Sequence, residues 1–75
     1  MDLVKLCSKL EKGAVYLFDD YEDIVLRIVV IDKSTHCFIK RRGRTEVEVD
    51  STDKDVFESK MYGYEISEEE YDKFR

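Results

Sequence analysis

Proline is absent from the 75 residues, glycine occurs three times, cysteine twice and histidine once. Each scarcity closes a class. Without proline or a glycine repeat, collagen-like and proline-rich disordered chains are excluded. Cys7 and Cys37 are too few for the framework of a small secreted scaffold, so a reducing cytoplasm is the expected setting. A structural zinc site needs four convergent ligands, and Cys7, His36 and Cys37 include no close cysteine pair; no metal is expected. Gly13, Gly43 and Gly63 are isolated, which removes the phosphate-cradling loops and with them any nucleotide cofactor. Long apolar runs are missing too, so no membrane-spanning helix is expected. Lys5 and Lys9 break the aliphatic cluster around Cys7 that a lipoprotein signal would need, and Met1 reads as the start of a soluble mature chain.

Catalytic constellations are equally thin. His36 and Cys37 are neighbours on an expected strand, and neighbouring strand residues point to opposite faces, so they form no dyad. The carboxylate pairs Glu46/Glu48 and Asp53/Asp55 fall on expected solvated faces, where they do no acid or base work. No enzyme is expected.

What is present suffices for one small domain over residues 1–75. Hydrophobic residues make up 43% and aromatics 12% of the chain. A domain of this size buries only about 60% of its unfolded surface, so it is marginal alone and a homodimer is expected. Leu3, Val4, Leu6, Cys7 and Leu10 have the spacing of one helical face, with Asp2 as cap and Gly13 as stop. Ala14 to Phe18 reads as a strand closed by the acidic turn Asp19 to Asp23. In Ile24 to Ile31 both alternating sets are apolar apart from Arg27, the pattern of a central strand covered on both faces. Asp32 to Thr35 supplies a turn, and His36 to Arg41 returns with Cys37 and Ile39 on one face and His36, Phe38 and Lys40 on the other.

Arg42-Gly43 reads as a two-residue turn into a strand from Thr45 to Asp50, with Thr45, Val47 and Val49 inward. Residues 53–61 fit either a helix, with Val56, Phe57, Lys60 and Met61 on one face, or a strand. The favoured reading is a helical turn near 54–60 followed by a strand from Met61 to Ile66. Ser67 and Glu70 make a capping box for a short final helix, with Tyr71 and Phe74 as its apolar contacts. The expected fold is α+β: an N-terminal helix packed on a mostly antiparallel sheet of four or five strands, and a short C-terminal helix.

Charge is the informative feature. Thirteen basic and eighteen acidic residues give a net of −5, distributed unevenly: residues 1–44 carry +2 and residues 45–75 carry −7. Glu46, Glu48 and Asp50 would project from one strand face about 6.8 Å apart. Asp53, Asp55 and Glu58 continue the run, and Glu65, Glu68, Glu69 and Glu70 form a second cluster. Such rows imitate a nucleic-acid backbone, which carries one phosphate per roughly 3.4 Å of each strand. The expected function is an inhibitor or binding protein whose acidic face engages a basic, nucleic-acid-binding protein, a mimic of the kind viruses and mobile elements make. The competing class is direct nucleic-acid binding by the hairpin Lys40, Arg41, Arg42 and Arg44, although these residues could equally pair with Asp19, Asp20, Glu22 and Asp23 if the two turns lie at one end of the sheet. A third is an apolar interaction module with the charge serving solubility. Tyr62, Tyr64 and Tyr71 are candidate aromatic anchors in any of these.

Overall fold

The computed structural model describes residues 3–74. The elements run α1 (Leu3–Lys12), β1 (Val15–Asp19), β2 (Ile24–Ile31), β3 (Ser34–Arg41), β4 (Val47–Val49), α2 (Lys54–Tyr62), β5 (Tyr64–Ile66) and α3 (Glu68–Lys73). The five strands form one antiparallel sheet in the order β4-β3-β2-β1-β5. This is the expected α+β architecture. The expected cap of α1, Asp2, lies outside the described residues.

Strand β2 sits at the centre because both of its faces are apolar. Ile24, Leu26 and Ile28 join Val15, Leu17, Cys37, Ile39, Leu6 of α1 and Val56 of α2 in the main core. Its other face contributes Val25 to a second cluster with Tyr71 and Phe74, flanked by Tyr16, Phe18 and Ile66. Two helices therefore cover one side of the sheet and α3 covers part of the other. The apolar face of α1 is narrower than its spacing suggests, since Leu6 is buried and Leu10 half-buried while Val4 and Cys7 are exposed.

The β2–β3 turn is tighter than expected. Ile31 pairs with Ser34, so the turn is Asp32-Lys33 alone, both with positive φ (49° and 66°), the twist that matches a two-residue hairpin. Beyond the Val15–Ile28 pair, β2 and β3 continue as a two-stranded ribbon that outruns β1 and β4.

The next connection is longer than expected. Ile39 pairs with Val47 rather than with Glu46, so residues 42–46 form a loop and the strand expected from Thr45 shrinks to three residues. Gly43, at φ 71°, supplies the left-handed step that lets Arg44 N–H close on the Arg41 carbonyl. The helices on this side reach Val49, which packs on the core, but not Val47 or Thr45, which are exposed against expectation.

Helix α2 takes more of the ambiguous segment than expected, and Met61 and Tyr62 belong to it, leaving β5 only Tyr64–Ile66. Asp53 caps it by accepting the Asp55 amide. Its inward residues are Val56 and Ser59, whereas Phe57 and Met61 are exposed. The cause lies at Gly63, where a Cβ would stand 2.5 Å from the Ser59 carbonyl oxygen and 3.0 Å from that of Phe18. Backbone so close to β1 leaves room for a serine on the facing turn and turns the larger side chains out. The capping box of α3 forms as expected, with Glu70 N–H donating to Ser67 Oγ and Ser67 N–H donating to the Glu70 carboxylate.

Candidate functional site

The open part of the second sheet face is built around Arg27. The register aligns Ile66, Tyr16, Arg27, Phe38 and Glu48 across all five strands. A charged residue in the most apolar strand needs a partner, and Arg27 has two kinds. Its guanidinium stacks 4.1 Å above the Phe38 ring, and its Nε and Nη2 donate to the two carboxylate oxygens of Glu46. The Tyr71 hydroxyl, reaching from α3, donates to the same carboxylate. The Arg27 hydrogen bond, followed by that from Tyr71, holds the Glu46 carboxyl below its usual range. Burial, helped by Glu46, pushes the Tyr71 phenol well above its usual value.

The rest of the expected acidic face is also tied to neighbours. Glu48 meets His36 at 2.8 Å on the same sheet face. Asp50 accepts from the Thr52 amide and hydroxyl, which lowers its carboxyl, and Asp53 serves as the α2 cap. Asp55 pairs with Arg41, Glu58 with Lys54, Glu65 with Lys9 and Glu69 with Lys73. Glu68 accepts from the Tyr16 hydroxyl at 3.2 Å, and Glu70 closes the capping box. The evenly spaced row expected at Glu46, Glu48 and Asp50 thus has each member turned to a different local partner.

Three of the four hairpin cations are committed as well. Lys40 donates to the Tyr71 carbonyl and lies 4.4 Å from its ring. Arg41 reaches Asp55, and Arg42 pairs with Asp23 at 2.8 Å while stacking 4.1 Å above Phe74. The Arg42–Asp23 pair fixes the two turns at one end of the sheet. Arg44 is exposed beside two open pockets.

Among the aromatic anchors, Tyr71 is buried core and Tyr64 packs edge-on against Phe18 at 5.5 Å. The strand expected to carry both Tyr62 and Tyr64 begins only at Tyr64, and Tyr62 ends α2 and is exposed. Sequence patterning passed over Tyr21, an exposed ring in the β1–β2 turn, and Asp19, whose turn role hid its burial. The only available signal was a tyrosine set inside four acids.

Both cysteines are free, Cys37 buried and Cys7 exposed, and burial raises the Cys37 thiol. Among the described residues no group of three potential metal ligands converges, and no helix is long and apolar enough to cross a membrane. No family model, curated protein or solved structure matches the chain.

Proposed function

We propose that this protein is a non-enzymatic binding module that engages the basic surface of a nucleic-acid-binding protein, its carboxylates taking the place of phosphates. The supporting observation is the internal use of the hairpin cations. Lys40, Arg41 and Arg42 are held by Tyr71, Asp55 and Asp23, whereas Glu68, Glu70 and Asp72 of α3 and Asp20 and Glu22 of the β1–β2 turn have no ion-pairing cation among the described residues. Arg42 joins the turn to the end of α3, so the two acidic segments adjoin. A surface of this sign steers a basic partner and discriminates against nucleic acid itself. The reducing cytoplasm suits its two free thiols. Self-association belongs to the same reading, with the exposed Phe57 and Met61 of α2 as the apolar contact.

The test is competition on a purified basic DNA-binding domain. Capture that falls steeply with salt, is displaced by added duplex DNA and is lost in the triple variant Asp20→Lys, Glu68→Lys, Asp72→Lys supports the proposal. Direct retention of DNA that is lost on neutralising Arg41, Arg42 and Arg44 would replace it with the basic-hairpin reading.

A further inference from the structure

Between the β1–β2 turn and the C-terminal end of α2 lies a pocket of about 390 Å³ lined by Asp19, Tyr21, Glu58 and Tyr62. Asp19 is only 3% exposed, yet no lysine or arginine among the described residues forms an ion pair with it. Buried carboxylates ordinarily have such a partner. Asp19 Oδ1 accepts from the amides of Tyr21 and Glu22, at 3.1 and 3.3 Å, and these are the carboxylate's hydrogen bonds among the described residues. Its second oxygen therefore remains available. Glu58 has Lys54 at 3.8 Å, with a lysine side chain 84% exposed, a pair too loose and too wet to hold the site closed.

The two rings complete the pattern. Tyr21 and Tyr62 are 89% and 75% exposed, and neither stacks on another ring or carries a cation among the described residues, unlike Tyr16, Tyr64 and Tyr71. Exposed aromatic faces beside carboxylates suit a cation that is weakly hydrated and carries methyl groups. The occupied Oδ1 narrows the choice further. A guanidinium seeks both oxygens of a carboxylate, whereas an ammonium with one remaining N–H needs a single acceptor.

We infer that this pocket receives one methylated lysine side chain of a basic protein, the dimethylammonium N–H donating to Asp19 and the methyl groups packing on Tyr21 and Tyr62. The inference rests on the proposed engagement of a basic partner and names the side chain that would anchor it.

The experiment titrates the isotope-labelled protein with the blocked amino acids N-acetyl-lysine amide, its mono-, di- and trimethyl forms, and N-acetyl-arginine amide, followed by amide chemical shifts. The dimethyl probe is expected to move the Tyr21, Glu22 and Tyr62 amides and to bind about tenfold more tightly than the unmethylated one. Asp19→Asn keeps an oxygen acceptor for the turn while removing the charge, and Tyr62→Ala removes a ring; each should abolish the preference for methylation with the remaining spectrum unchanged. A preference for arginine, no preference among the lysines, or shifts elsewhere would overturn the inference. If the probes fail while the basic domain is still captured, only the pocket is wrong. If they bind while the α3 and turn charge reversals leave capture intact, the pocket stands and the wider acidic surface falls.

Discussion

Arg27 grips Glu46 with two hydrogen bonds, 2.8 and 3.2 Å long, across nineteen positions of chain. The pair pins the loop before β4 to the central strand and gives α3 a polar foothold through the Tyr71 hydroxyl. Since Arg27 keeps the Glu46 carboxyl below the ordinary 4.5, this group contributes stability that is present above the unfolded value and lost as pH falls through the folded one. Glu46→Gln should therefore cost about 0.5–1 kcal/mol at neutral pH, a modest figure because the pair is a third open to water. Urea denaturation at a series of pH values should show the wild-type and variant stabilities converging below pH 4.5. Curves that stay parallel would remove the pair from the acid response.

Ser59 is fully buried and its hydroxyl has no hydrogen-bond partner among the described residues. Ser59→Ala should raise stability by about 1 kcal/mol, because the desolvation cost of an unsatisfied oxygen disappears. Gly63→Ala should act in the opposite direction, by about 1–3 kcal/mol, since its new methyl meets the backbone of Ser59 and Phe18. The backbone at Gly63 is otherwise ordinary (φ −74°), so the loss is steric. Thermal melts of the two variants, displaced to opposite sides of the parent, check both.

Lys33 occupies the second place of the Asp32-Lys33 turn at φ 66°. A side chain there costs roughly 1–2 kcal/mol, partly returned by glycine's greater freedom when unfolded. Lys33→Gly should stabilise the hairpin by about 0.5 kcal/mol. A melting temperature that drops instead would mean that Lys33 makes a compensating contact.

Phe57 and Met61 stand one turn apart on α2 and are 61% and 51% exposed. If self-association uses them, sedimentation equilibrium should find a dimer that becomes monomeric in the Phe57→Glu, Met61→Glu double variant with unchanged circular dichroism. A dimer that survives both changes would move the contact to the edge strands β4 and β5.

The fold was legible where one physical cue dominated. Two apolar faces identified β2 as central, strict alternation oriented Cys37 and Phe38, and Ser67 with Glu70 announced α3. The misjudged boundaries lie where tertiary contact outweighs local pattern. Phe57 and Met61 look like the buried face of α2, but the close passage of Gly63 across β1 decides its rotation. The acidic clusters were legible as composition and not as surface, because alternation along Glu46, Glu48 and Asp50 says nothing of Arg27 and His36, which approach from other strands, or of the turn that brings Thr52 back onto Asp50. Charge placement requires the pairing partner, and the partner is set by strand order.

That strand order also carries a timetable. Strands β1 to β4 pair consecutively along the chain, whereas β5 returns to β1 and joins Ile66 to Tyr16 across fifty positions. Short closures form before long ones, so the four-stranded meander can zip together before the last strand docks. Until then the free edge of β1 is open to any extended segment nearby, and the arrival of Tyr64–Ile66 ends that exposure.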